Sequence, residues 1–482
     1  MFQLIDRILH EFRECFKREA TWVWFVVLMI GFMVRRNHNG ITSIISTLRL
    51  SPRLYHTMLH FFRSEAYETE ELYKKWIEIV MGLDVVVRIS DRPIVAGDHI
   101  KISKEGRRMP DMTTMKQESD NSGKGEYIEG HMYGHTSAVI DRNETSRGLP
   151  LMTELHKSPP RIAGTKKPDG DTTVIQMIKL LGRTAQYMGE PIISPLDAYF
   201  SKCTAFETAS ALLMPDGRRS VHIVTRAQDN YVAFVPPSRP DSPQIGRPLE
   251  YGKKIALRNM LESNQDKAVE TTMTLYGKKT KVKYVCMDMI WKPLGKDTLI
   301  RFVAVESNRG RCVLMCTDLT LTPEEIIEIY ALRFKIETSF DEQKNEVGCF
   351  EYHFWTLAIP KRKRWSKDNE PNALSKTDQE KINDAKRAIA NHVCLGTIAT
   401  GILTIIAFMH VCEIWKRYQG WLRTRRKTVP SVAVVRETLA GELPRFLRNS
   451  HTLQPARIIK SLIRSDEFLY DEMDCDDLDK SA

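Results

Sequence analysis

The chain has few cysteines, no leader signal and no long uncharged run. Its nine cysteines are scattered over 482 residues with no Cys-x2-Cys pair. That excludes a disulfide framework and a structural zinc site of paired-cysteine spacing. Free thiols fit a reducing, cytoplasmic setting. The first twenty residues carry several acids and lack the basic-then-apolar organisation of a signal peptide. A bilayer span needs about 20 apolar residues. Trp22–Val34 offers 13 uncharged residues and Val393–Met409 offers 17, the second diluted by Thr397, Thr400, Thr404, Gly396 and Gly401. Both are expected as buried helices with no membrane; a membrane-anchored chain is the alternative.

Acid is scarce in the body of the protein. Lys plus Arg number 71 against 61 for Asp plus Glu, a formal net charge of +10. Eight of the acids fall between Asp466 and the end of the chain, beside one base, Lys480, so the tail is −7 and the rest +17. A basic body with an acidic tail fits a polyanionic partner, nucleic acid first, and also fits an ordinary basic enzyme. Hydrophobic residues at 42% and a mean hydropathy of −0.33 exclude a disordered or polytopic chain.

Apolar spacing divides the chain into regions. Residues 1–85 read as helical. Ile41, Ile44, Ile45 and Leu48 recur at helical spacing, Ser51-Pro52 marks a restart, and Arg49, Arg53 and Arg63 lie alongside. The pair fits a helix-turn-helix-like DNA module and equally fits plain helical packing. Residues 86–236 change to short strands and helices in the order β-β-β-α-β-α-β, an α/β layout with one mixed sheet. Residues 237–321 follow a Pro/Ser linker and read as a β-rich insertion. Residues 322–356 carry one well-signalled helix. Residues 357–465 are helical again, and 466–482 form an acidic tail expected to be disordered.

Chemistry concentrates in TPEEIIEIYALRFKIETSFDEQK. Thr322 is a good N-cap, Pro323 takes the first helical position, and Glu325 completes a capping box. On one continuous helix, Tyr330, Arg333, Glu337 and Lys344 fall at about 0°, −60°, −20° and −40°. One carboxylate, two cations and a phenol then share a narrow face, which suits a metal-bound acid flanked by phosphate-holding cations. A salt-bridged solvent face has the same pattern. Two further acids sit where chemistry is common. Asp98 falls inside the first strand of the sheet, where an unpaired acid is costly. Asp197 lies just past the fourth strand, at the edge where α/β ligands gather. Asp91, Asp288 and Asp341 are the competing acids. Two Asp and one Glu together suit Mg²⁺ or Mn²⁺.

Tyr330-Ala-Leu-Arg333-Phe-Lys-Ile-Glu337, followed after six residues by Lys344, matches the Tyr-x2-Arg-x3-Glu-x6-Lys signature. With the contexts VAGDHIKIS around Asp98 and ISPLDAYFSK around Asp197, and the β-rich insertion before the Glu, the chain resembles the DDE transposases of bacterial insertion sequences. The resemblance spans about residues 20–430. It implies an RNase H-like catalytic domain in which Asp98, Asp197 and Glu337 bind two divalent ions, Mg²⁺ or Mn²⁺. It implies that Tyr330, Arg333 and Lys344 contact DNA near the element end. It implies cut-and-paste transposition: hydrolysis at the element's ends, then attack by the freed 3′-OH. The partners it implies are terminal inverted repeats, target DNA and a second copy of the chain in a homodimer on DNA, with the protein at the nucleoid.

Three smaller signals complete the reading. Trp291 is a candidate base-stacking aromatic, against ordinary packing. His131 and His135 share a strand face but stand about 13 Å apart, too far for one metal. Lys361–Trp365 and Lys416–Lys427 are basic runs that suit a DNA backbone or simply water. A catalytically dead DNA-binding relative and a nuclease without strand transfer are the other classes left open.

Overall fold

Thr322 caps its helix as its spacing predicts: its hydroxyl accepts the Glu325 N–H, and the Glu325 carboxylate accepts the Thr322 N–H. Most of the strands in front of that helix assemble into one large sheet, whose central strands are buried along most of their length. The computed structural model describes residues 1–36, 40–117, 125–142, 145–159, 169–237, 249–361, 375–422 and 429–463. The acidic tail and most of both basic runs lie outside them.

The N-terminal helices are α1 (Phe2–Glu11), α2 (Glu19–Val34), α3 (Ile41–Leu48), α4 (Tyr55–Arg63) and α5 (Thr69–Gly82). A short hairpin, β1 (Arg88–Ile89) with β2 (Arg92–Pro93), leads into β3 (Val95–Ser103), β4 (Thr113–Lys116), β5 (Tyr127–Arg142) and β6 (Thr145–His156). Then come α6 (Thr173–Met188), β7 (Ile192–Leu196), α7 (Cys203–Ala211) and β8 (Val221–Arg226). The segment expected as one strand after α7 is two, because a turn after Arg226 separates β8 from β9 (Val232–Phe234). The β-rich part continues with β10 (Lys254–Ala256), β11 (Val269–Leu275), β12 (Lys278–Ile290), β13 (Leu299–Ser307) and β14 (Gly310–Cys316).

The central strands lie in the spatial order β6-β5-β3-β7-β8. Neighbours β6/β5 and β5/β3 are antiparallel, whereas β3/β7 and β7/β8 are parallel. The insertion joins the same sheet: β14 pairs antiparallel with β8, and β13, β12 and β11 follow outward.

Each sheet face is covered. One face packs on α6 through Val95, Met177, Ile178 and Leu181. The other packs on α8 (Pro323–Leu332), where Ile326, Ile327 and Ile329 meet Ile94, Ile193, Val224 and Leu314. The predicted single helix is divided after α8. Arg333, Ile336 and Glu337 donate their N–H groups three residues back, to Tyr330, Arg333 and Phe334, which tightens the turn. It resumes as α9 (Lys335–Asp341) and widens to a π-helical turn over Glu342–Val347. Tyr330, Arg333, Glu337 and Lys344 therefore do not line one straight stripe.

The C-terminal part is α10 (Lys376–Met409), α11 (Val411–Arg417), α12 (Val432–Asn449) and α13 (Gln454–Leu462). Among the described residues α10 is the one helix long and apolar enough to cross a membrane, and 94% of its apolar window is buried inside the protein. It packs against α2, α4, α5, α12 and β6. The α2 run, Trp22 to Val34, is likewise mostly buried in that core. Both apolar stretches are core helices here, as expected. Arg49, Arg53 and Arg63 beside α3 and α4 point to solvent, while Met58, Phe61 and Phe62 of α4 turn inward.

Candidate functional site

Asp98 faces the α8/α9 side of β3, the face that Ile94 also takes. Gly97 opposite it faces Met177 and Leu181 of α6. The parallel pairing of β3 with β7 sets Gly97 beside Leu196. Asp98 and Asp197 are thus one residue further along neighbouring strands, which lie about 4.8 Å apart. Asp197 caps the short helical turn after β7, its carboxylate accepting the Ala198 N–H at 2.6 Å. Its carbonyl accepts the Thr225 hydroxyl of β8 at 2.8 Å. Asp98 accepts the His99 N–H at 2.8 Å.

The helix is brought to these acids by small and polar contacts. His135 pairs in register with Asp98, and its Nε2 meets the Ser339 hydroxyl of α9 at 2.9 Å. Gly148 of β6 lets α9 approach: a Cβ there would stand 2.6 Å from the Lys335 carbonyl oxygen. The Arg333 guanidinium then reaches both acids, 3.9 Å from Asp98 and 3.5 Å from Glu337. Burial above all, opposed by the His99 N–H and Arg333 and helped by Asp197 and Glu337, raises the Asp98 carboxyl to about 6. Burial and Asp197 also push the Tyr330 phenol up, to about 12, against Arg333 and Arg226. Asp98, Asp197, Glu337, Tyr330 and Arg333 therefore share one electrostatic environment. Lys344 is exposed on the π-helical turn.

No family model, curated protein or solved structure matches the chain.

The donor set is two Asp and one Glu, the oxygen ligands that hard divalent cations take. Among the described residues, no three His, Cys, Asp or Glu side chains stand close enough together to hold an ion. Arg333 supplies the nearby positive charge, and Glu337 is half exposed beyond it. The competing acids have other partners. Asp288 is held by Arg301 at 2.8 Å. Asp341 accepts from Asn345 at 2.6 Å. Asp91 belongs to the β1–β2 turn, with φ of 59°.

The lesser candidates resolve as packing. Trp291 is buried against Tyr231 and Phe206, with ring centroids at 5.2 and 5.4 Å. His131 bonds Tyr352 and the Pro110 carbonyl, while His135 bonds Thr153 and Ser339. Burial lowers their pKa to about 4 and about 3, so both are neutral. Of the basic runs, Arg417 is ion-paired with Glu413 and Glu442, and Trp421 is exposed.

Two features had no strong signal in the sequence. Behind Asp98, on the α6 face, His99 and His156 join ring nitrogens at 3.0 Å. Gly134 leaves room for the His156 ring, which would lie 2.0 Å from a Cβ there. No spacing in the sequence points to that pair. Buried Arg35 of the N-terminal region donates to the Val347 and Gly348 carbonyls at the end of the π-helical turn. Among the described residues no carboxylate forms an ion pair with it; the carbonyl end of the helix offsets its charge.

Proposed function

We propose that this protein is a DDE-type DNA transposase with an RNase H-like core, cutting element ends and joining them to target DNA. The observation that carries the reading is the adjacency of Asp98 and Asp197 on neighbouring parallel strands, with Arg333 from the Glu337 helix reaching over Asp98. The strand order β6-β5-β3-β7-β8, with three antiparallel strands followed by two parallel ones, supports it. So does the full Tyr330, Arg333, Glu337, Lys344 signature.

Two Asp and one Glu are the donor types that Mg²⁺ or Mn²⁺ takes, and the three side chains would have to draw closer together than they stand here to hold one. The Asp98 carboxyl is pushed up by burial and by two neighbouring acids, a deficit of positive charge that a cation relieves. Asp98, Asp197 and Glu337 would hold the metal. When bound, it supplies Lewis-acid stabilisation of charge on the reacting phosphate oxygens.

The protein's own residues then act on the DNA. A phosphodiester entering the site offers Arg333 an anionic partner better matched to its two-pronged guanidinium than distant carboxylates. Moving to it, Arg333 frees Asp98 and Glu337. Tyr330 stays protonated, because its pKa is raised, and donates a hydrogen bond to a phosphate oxygen. Lys344 adds positive charge further along the strand. The His135–Ser339 bond and the Gly148 contact hold α9 in register with Asp98 throughout.

The test is cleavage of labelled duplex DNA carrying the inverted repeats that flank the coding region, with Mg²⁺, Mn²⁺ or EDTA. Wild-type protein should cut at the repeat boundary only with metal. Glu337→Gln should bind the same DNA and leave it uncut. Loss of binding together with cutting in that variant would make Glu337 a structural residue.

A further inference from the structure

The β11–β12 hairpin lies far from the acids in sequence, yet the sheet register aims it past their edge. Leu314 of β14 is level with Arg226, the last residue of β8, and Gly310 lies four residues beyond it. Ser307 pairs with Gly310 and with Val282, and Lys278 lies four residues further out again. At about 3.3 Å per residue, the hairpin tip stands roughly 26 Å beyond the end of β8. That is the end of the sheet where Asp197 sits.

The tip is unusual in three respects. Tyr276 and Gly277 make a two-residue turn, with φ of 53° and 73°. Asn-Gly is the favoured pair for such a turn, and a bulky side chain in the left-handed region is strained there. The Tyr276 ring is 40% exposed, and the Arg309 guanidinium from the neighbouring β13–β14 turn lies over it at 3.6 Å. Lys278, Lys279 and Lys281 are exposed and form no ion pair among the described residues, whereas Lys283 and Arg311, further back, are paired with Glu270, Glu262 and Glu306. Alternation along β12 turns Lys278 to the α8 face and Lys279 and Lys281 to the other.

A solvated hairpin needs neither a strained aromatic nor cations gathered on both faces. A two-stranded ribbon entering a DNA groove uses both, because phosphates flank it on either side. We propose that this hairpin tip inserts into a groove of the duplex whose scissile phosphate lies at the acids. The inference rests on the transposase reading above. At 3.4 Å per base pair, contact falls about seven or eight base pairs from the cut.

The experiment measures the affinity of the full chain for the flanking-repeat duplex across a salt series, beside hydroxyl-radical footprints. The variants are Tyr276→Asn and a charge-removed form with Lys278, Lys279, Lys281 and Arg309 changed to Gln. The charge-removed form should lose about three units of salt slope and at least tenfold in affinity near physiological salt. Its footprint should lose protection about seven base pairs from the cut while keeping it at the cut. Tyr276→Asn should raise the unfolding temperature, because Asn suits the turn, and still weaken binding several-fold. Wild-type binding with an unchanged slope and footprint in the variants overturns the ribbon and leaves the transposase reading standing. A wild-type chain that binds no duplex at all overturns both.

Discussion

Asp98→Asn separates stability from chemistry. The Asp98 side chain is largely buried beside Asp197 and Glu337, and its folded-state pKa is about 6 against an ordinary 3.8. The folded protein therefore holds a proton that the unfolded chain releases first. As pH rises from about 4 to about 6 the unfolded state ionises and gains relative to the folded state, so stability falls across that window. Two pKa units correspond to about 3 kcal/mol. Asn has nearly the same shape and no charge to desolvate. With a chelator present, Asp98→Asn should match wild type below pH 4 and exceed it by about 3 kcal/mol at pH 7. For a chain of this length that is roughly 3 °C in the thermal midpoint. The assay is calorimetry or fluorescence melting of both proteins from pH 3.5 to 8, read as a difference so that other titrating groups cancel. The same variant should be inactive in DNA cleavage. Equal melting at pH 7, or a less stable variant, would refute the picture of a carboxyl held up by burial and neighbouring acids.

Other predictions test the supports of the site. Gly148→Ala should press on the Lys335 carbonyl, cost about 1–3 kcal/mol and reduce cleavage well beyond what that loss explains, with DNA affinity little changed. Arg35→Gln should cost about 3 kcal/mol, since the carbonyl end of the Lys344 turn loses its buried donor; denaturant titration would show it. Trp291→Ala should cost about 3–5 kcal/mol as a core truncation, and the protein that remains folded should bind DNA as wild type does. A Trp291→Ala protein that melts normally but fails to engage DNA would restore the base-stacking role that its burial denies.

The sequence was informative where local chemistry decides structure. The Thr322 capping box, the strand around Asp98 and the four long strands between Val269 and Cys316 follow from capping and alternation, and the strand before Asp197 from its short continuous apolar run. The division of the signature helix did not. Periodicity assumes one axis, but α8 docks on β7, β8, β13 and β14 while α9 docks on β6, and the Arg333–Phe334 turn tightens to serve both surfaces. That the insertion strands extend the same sheet depends on β14 finding the open edge of β8, a long-range pairing with no local signal. Trp291 and the His131, His135 pair look like sites by residue type and are packing by position. The His99–His156 contact needs Gly134 on a third position of the sheet, so no spacing rule reaches it.

The central claim is that Asp98, Asp197 and Glu337 form one metal site. Fe²⁺ substituted for Mg²⁺, with ascorbate and peroxide, generates radicals that cut the polypeptide beside the bound ion. The account predicts three cuts, near residues 98, 197 and 337, suppressed by excess Mg²⁺ and lost in Asp98→Asn. Cuts confined to other segments, or a pattern that Asp98→Asn leaves unchanged, would contradict it.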